Sequence, residues 1–401
     1  MTRKISFGVV TIMLVAAVVL SSLVTLIVVF TSYDNLLLDL PQRADQYKKL
    51  TEIDELIRSE YYGKFDSDSV DDSLASGLLY SLNDNFSYYV SSDDYSEYSK
   101  LISGKASGIG INVYYDSSLG QMIISNVSEN SPADSKGLKV SDVIASVNGK
   151  PVTQENADSL TSVICDSFKK DVTLDVIDAS GNSSQYKVTS GYDIESCFYK
   201  KDGSVGYIRL TAVYDKTVDD FIAAINSFRE EKINTVILDL RNCSSVNFDA
   251  AAKIIDYIVP VGTEGTGVIY SAKNSKGEVI MQYPSSSDAV NITFAVLVNT
   301  RTEGAAELIA CDLKDFGKGY LFGEKTAGHG TMQKVFEIRD GGYVILTVAE
   351  IFPYLSSSYN DTGIMPDVEI LTSDAFKDQI GRIDSADDEQ YQKAYNYLTG
   401  K

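Results

Sequence analysis

The spacing of apolar and polar positions changes character along the chain. Residues 8–30, "GVVTIMLVAAVVLSSLVTLIVVF", are apolar or small without a single charge, long enough to cross a bilayer as a helix. Beyond them Leu50, Ile53, Leu56 and Ile57 recur on one helical face, and "SVDDSLASGLLYSL" predicts a second helix. "NDNFSYYVSSDDYSEY" then reads as a polar, aromatic-rich connection. From Gly104 the period shortens to two. "GIGINVYYD", "GQMIISNV", "DVIASVNGK", "DVTLDVIDASGN" and "QYKVTS" predict short strands joined by glycine and asparagine turns, with "SPADSKGLKVSD" as a short helix ended by Gly137. From Ser204 strands alternate with helices: "VGYIRL", "TVDDFIAAINSFREE", "NTVILDLRN", "FDAAAKIIDYIV", "GVIYSA", "VIMQYP", "FAVLVN" and "AAELIACDLKDF". "QKVFEIRDGGYVILTVAEIF" predicts a hairpin around Asp340-Gly341, and "DEQYQKAYNYL" a terminal helix. Such alternation predicts a sheet with helices on its faces.

Composition narrows the function. The chain has 401 residues, more than one domain ordinarily holds, and 44% are hydrophobic, so several packed modules are expected. A formal net charge of −21 repels phosphate backbones and argues against nucleic-acid binding. Arg3 and Lys4 precede the apolar run Gly8 to Phe30, and Asp34 and Asp39 follow it. The positive-inside rule therefore predicts a single-pass anchor with the bulk of the chain extracytoplasmic; a cleaved signal peptide is the competing reading. Cys165, Cys197, Cys243 and Cys311 fit no metal or redox spacing and are expected as buried thiols. His329 is the only histidine, so no multi-histidine metal site exists, and Glu303 or Glu307 beside it would be too few ligands. Neither a metal nor a cofactor is expected. Acidic pairs such as Asp71-Asp72, Asp93-Asp94 and Asp219-Asp220 read as helix starts and solvated faces.

Several segments together resemble one family. "LNDNFSYYV" is similar to the L-x-DPYS-x-YL stretch of the C-terminal processing, or tail-specific, serine peptidases. "GIGINV" followed by "SPADSKGLKVSDVIASVNGKPV" resembles their embedded PDZ domain, and "VGYIRL", "VILDLR", "VLVN", "GEKTAGHGTMQ", "YVILTVA" and "GIMPDVEI" resemble their core. The resemblance implies an α/β (α+β overall) fold: a peptidase core of the tail-specific-protease, crotonase-like type, an inserted β-rich PDZ domain and an N-terminal transmembrane helix. The expected organisation is a cytoplasmic tip and anchor at 1–31, a helical cap at 32–103, the PDZ domain at 104–190, the α/β core at 191–372 and a helical tail at 373–401. It also implies a serine nucleophile, a neutral lysine as general base, a supporting glutamine and an oxyanion hole near an N-P-G-G turn.

Carried over residue by residue, that machinery is degenerate. Glu307 matches the motif glutamate three residues after the nucleophile and Asp315 a later aspartate, but Gly304 stands at the nucleophile position. His329 stands at the lysine position, and Gln333 keeps the glutamine. Asp239, Leu240 and Arg241 match, whereas Cys243, Ser244, Ser245 and Val246 replace the N-P-G-G turn, and a valine is not suited to a left-handed glycine site. Glycine cannot form an acyl-enzyme.

The leading expectation is a pseudo-protease that binds peptides or protein C-termini and regulates or scaffolds. The resemblance places the peptide-binding loop at Gly108, Ile109, Gly110 and Ile111, with Tyr114 and Tyr115 as packing or rim residues. The alternative is an active serine-type endopeptidase with a displaced nucleophile, drawing on Thr302, Ser244, Ser245 or Cys311 with His329 as base. A third reading is a structural envelope protein with an empty PDZ groove. Family members often pair through their helical ends, which implies a possible homodimer.

Overall fold

The computed structural model describes residues 20–22, 25, 47–64, 67–128, 130–259, 267–286, 289–339, 341–372, 380 and 385–400. Residues up to Asp71 and residues from Asp72 onward pack as two units. In the first, residues 47–60 are helical and Arg58 pairs with Asp54 at 2.7 Å, one turn away. The run Gly8 to Phe30 lies almost wholly outside the described residues, and no helix among those residues is long and apolar enough to cross a membrane.

The second unit is built on a six-stranded sheet. Its strands are Cys197–Asp202, Val205–Leu210, Thr235–Asp239, Thr293–Val298, Gly319–Gly323 and Val368–Glu369, in that spatial order. The first pair is antiparallel and every later pair is parallel. Val236 to Asp239 and Phe294 to Val298 are all buried, the continuous apolar pattern of strands covered on both faces. Helices Asp215–Glu230, Phe248–Ile258 and Ala305–Asp315 cover one face through Phe221, Ile225, Phe228, Ile254, Leu308 and Ile309. The C-terminal helix Glu389–Thr399 covers the other, packing Tyr391 and Ala394 on Ile237, Ala295, Leu297 and Phe322.

Arg241 fastens that last helix to the sheet. Its guanidinium, fully buried, bonds both oxygens of Asp239 at 2.9 and 2.7 Å, both oxygens of Asp388 at 3.1 and 2.8 Å, and Gln390 at 2.9 Å. Asp388 also caps the helix by accepting from the Tyr391 N–H. Tyr207 donates to Asp239 at 2.8 Å. Burial pushes the Asp239 pKa up, but the Arg241 charge and these hydrogen bonds outweigh it and hold the carboxyl below its ordinary range.

A second sheet runs Tyr88–Val90, Tyr343–Pro353, Val268–Lys273 and Val279–Pro284, with Thr331–Glu337 also pairing to the long strand as the expected hairpin. The β-rich module is a further sheet, Ile111–Asp116, Gln121–Val127, Val143–Val147, Asp171–Ile177 and Ser183–Thr189, around its own core of Ile109, Met122, Ile124, Ile144, Leu174 and Val188.

Four elements differ from expectation. The stretch read as a polar connection forms the strand Tyr88–Val90 and the helix Ser92–Ile102. Ser91 caps the helix on the Asp94 N–H, and Tyr95 stacks on Tyr343 at 3.3 Å. The β-rich module contains a helix, Ala157–Cys165, whose buried Ala157, Leu160 and Ile164 are diluted by polar neighbours. Gly319–Gly323 is a fifth sheet strand, too short and glycine-bounded to show a period.

Candidate functional site

Two neighbouring parallel strands, Thr235–Asp239 and Thr293–Val298, end side by side, with Asp239 opposite Leu297. Each runs through a turn into a helix, so both turns lie at the carboxyl edge of the sheet, where α/β folds place their sites. The turns are joined by a two-residue parallel pairing, Ser244 to Glu303 and Ser245 to Gly304. Asn242 and Asn299 reinforce the junction. The Asn242 N–H donates to Asn299 Oδ1 at 3.0 Å, and Asn299 Nδ2 donates to Asn242 Oδ1 at 2.8 Å.

Gly304 begins the helix Ala305–Asp315 at φ 69°, ψ −119°, a backbone shape that side chains rarely tolerate. A Cβ added there would lie 2.1 Å from the Ser245 carbonyl oxygen and 3.6 Å from His329 Nδ1. Position 304 thus lacks a side chain and also lacks room for one, because the Ser244–Val246 turn presents a backbone carbonyl to it. No residue of that turn has a positive φ.

Glu307 holds this arrangement together. Its carboxylate is fully buried and accepts from the N–H groups of Gly304 at 3.0 Å, Gly328 at 2.7 Å and His329 at 2.8 Å, and from the Thr326 hydroxyl. Burial raises its pKa, and the four hydrogen bonds pull against that rise. Tyr359 donates to the Gly304 carbonyl at 3.0 Å. One carboxylate therefore joins the turn at Gly304 to the loop bearing His329.

His329 is 4% exposed and lies flat on Phe86, with centroids 3.3 Å apart and planes 11° apart. Its Nδ1 is 3.7 Å from Glu303 Oε1, and its Nε2 is 3.4 Å from Gln333 Nε2. Desolvation lowers its pKa, while Glu303 and Asp84 oppose the shift. Gln333 Nε2 also donates to Thr331 at 2.9 Å and Thr347 at 3.2 Å, and its Oε1 is buried without a partner. Turning the amide over would offer that oxygen to a His329 Nε2–H and to both hydroxyls. His329 and Gln333 thus lie side by side.

The substitute nucleophiles are otherwise engaged. The Thr302 hydroxyl donates to the Leu240 carbonyl and accepts from the Asn299 N–H, both at 2.9 Å. Burial pushes the Cys311 thiol up to about 12 and the Cys243 thiol higher still, so neither offers a thiolate. All four cysteines are free. Ser245 donates to the Val213 carbonyl at 2.8 Å. Ser244 donates to Glu303 Oε2 at 2.8 Å, which puts a carboxylate, not the histidine, next to the hydroxyl.

In the loop Gly108–Ile111 both glycines have a positive φ, 71° at Gly108 and 84° at Gly110. Two of its amides are already spent: Gly108 N–H on Ser167 O at 2.7 Å and Ile109 N–H on Ile164 O at 3.2 Å. Ile164 belongs to the end of the helix Ala157–Cys165, where carbonyls, not N–H groups, point outward. The adjoining strand Ile111–Asp116 is an edge of its sheet.

Sequence reasoning did not find Phe86, Tyr359, Asn299 or the Arg241–Asp388 clamp as members of the site and its frame. Phe86 lies in a quoted motif, yet nothing in the motif says it covers residue 329.

A model of peptidase family S41 matches residues 204–370, and a PDZ domain model matches 99–177. The carboxy-terminal processing protease CtpA of Bacillus subtilis (strain 168) is 30% identical over 334 residues, covering 83% of this chain and 70% of that protein. The chain belongs to the C-terminal processing peptidases of family S41. A CtpA-like serine protease of Staphylococcus aureus (strain N315) is 27% identical over 81% of this chain, which spans 64% of the length of that relative. Among solved structures, an S41 protease from Bacteroides fragilis NCTC 9343 superposes with a TM-score of 0.50 at 18% identity, over 85% of this chain and 91% of that one, which supports the shared fold.

Proposed function

We propose that this S41 family member is a pseudo-protease: it binds polypeptide segments and does not cut them. The observation that carries the reading is the collision at position 304, where a Cβ would meet the Ser245 carbonyl at 2.1 Å. A serine nucleophile needs its hydroxyl free, a base on it and an oxyanion hole opposite, and all three elements depart together here. Thr302 is tied into the turn, and the order Ser244–Glu303–His329 places the acid where a base is needed. Peptide capture is assigned to the PDZ domain, with the edge strand Ile111–Asp116 offering main-chain pairing. The spent amides of Gly108 and Ile109 favour pairing along that strand over tight capture of a terminal carboxylate. The apolar run Gly8 to Phe30, flanked by Arg3 and Lys4, supports a single-pass anchor with these domains outside the cytoplasm.

The test is fluorescein-labelled casein, an unfolded polypeptide, mixed with the full chain. Anisotropy should rise with no fragments on a gel, and Gly110→Val should weaken the rise, because a Cβ at Gly110 would sit 2.1 Å from the Ser131 Cβ. Fragments that disappear with His329→Ala or Ser244→Ala would establish the displaced-nucleophile reading instead.

A further inference from the structure

Away from Gly304 and His329, a cavity of about 380 Å³ opens where a turn of the PDZ module, carrying Asn130, meets the first two core strands. Strand register puts its main groups on one face, with Phe198 opposite Arg209 and Lys200 opposite Tyr207. Tyr199, Thr211 and Glu195 complete the lining.

The charges in this cavity are unbalanced. Arg209 Nε is buried and has no hydrogen-bond partner, and no carboxylate among the described residues forms an ion pair with Arg209 or Lys200. Lys200 instead lies over the Tyr207 ring at 5.4 Å. The chain carries 56 acidic against 35 basic residues, so acids were plentiful. Arg241, which is wholly buried, has by contrast five side-chain hydrogen bonds to acids and an amide. Burying the Arg209 Nε–H without an acceptor is costly, and the guanidinium fork matches a planar carboxylate held two-pronged. The rings of Phe198 and Tyr207 supply an apolar wall, and the volume lies in the range of small-ligand sites.

We propose that this cavity binds a carboxylate carried on an aromatic or apolar body, with Arg209 as its anchor, Lys200 as a second charge and Asn130 and Thr211 as neutral donors. The site is independent of whether the chain cuts peptides, and a ligand bridging Asn130 to Arg209 would couple the PDZ module to the core.

Calorimetric titration of the full chain with N-acetyl-phenylalanine and with its amide tests this without any substitution. The acid should bind roughly tenfold or more tightly than the amide, the discrimination of a charge-assisted pair. Arg209→Gln should remove that preference, and the exposed Lys200→Gln should weaken acid binding by a smaller factor. A tetrapeptide ending in phenylalanine, as acid and amide, separates the two sources. Tighter binding of the peptide acid assigns the site to a polypeptide C-terminus, and tighter binding of the single residue assigns it to a free acid. Equal affinity for acid and amide, no binding of either, full competition by inorganic phosphate alone, or an unchanged acid preference in a folded Arg209→Gln chain would each overturn the proposal.

Discussion

At the residue scale, the proposed loss of cleavage rests on position 304, with His329 beside it. Gly304 keeps a backbone shape suited to a strained functional residue, yet the Ser245 carbonyl occupies the space beyond it. Gly304→Ser should therefore destabilise the fold by about 2 kcal/mol or more, from the unfavourable φ together with the close contact. The midpoint of urea unfolding measures this; an unchanged midpoint would mean the turn has room. His329, being the sole histidine, gives one unambiguous imidazole signal in a proton NMR titration. Its midpoint should fall below 6.5, because burial against Phe86 outweighs Glu303 and Asp84. The depressed value means the unfolded chain binds more protons between the two midpoints, so His329 costs stability as pH falls through 6.5 and below. A midpoint at or above 6.5 would show Glu303 in control. Gly304, His329 and Gln333 were legible in the sequence because motif spacing carries position. The Ser245 carbonyl was not, since a backbone oxygen has no letter.

At the scale of elements, strong periodicity was readable and short or polar elements were not. The strands Thr235–Asp239 and Thr293–Val298 declared themselves by unbroken apolar runs. The helix Ala157–Cys165 hid because serine, threonine and aspartate fill its outer face. The helix Ser92–Ile102 hid because none of its residues is fully buried; tyrosine stacking and a serine cap hold it. The terminal helix was readable, but its attachment was not, since Asp388 lies 147 positions from Arg241. That clamp yields a prediction. Arg241→Ala should cost about 3–5 kcal/mol, because it strands the buried Asp239 without its counter-charge. Asp388→Ala should cost less and should expose the last helix to limited proteolysis before the sheet unfolds. Equal resistance of the Asp388→Ala chain would show that Tyr391 and Ala394 packing alone holds the helix.

At the scale of the molecule, buried carboxyls pull stability in opposite directions with pH. Asp239 is depressed, so its contribution is complete above its unfolded pKa of about 3.9 and is lost as pH falls below it. Asp312 is raised well above its ordinary value by burial, with Tyr354 N–H on one oxygen and nothing on the other. It holds a proton in the folded chain that the unfolded chain releases, so it lowers stability as pH rises above the unfolded value. Asp312→Asn, which mimics the protonated acid, should flatten that decline without altering the loss in acid. Thermal unfolding across pH measures both; a slope unchanged by Asp312→Asn would remove Asp312 from the account.

The motif resemblance would align a serine with position 304, a lysine with 329 and an N-P-G-G turn with 243–246. The most direct test of the proposed loss of cleavage is casein cleavage by the unaltered chain, by Gly304→Ser with His329→Lys, and by that pair with Cys243→Asn, Ser244→Pro, Ser245→Gly and Val246→Gly added. The geometry predicts no cleavage from the first two and cleavage only once the turn is replaced, because the Ser245 carbonyl must leave before a serine can act. Cleavage by the unaltered chain, or by the two-residue variant alone, would contradict it.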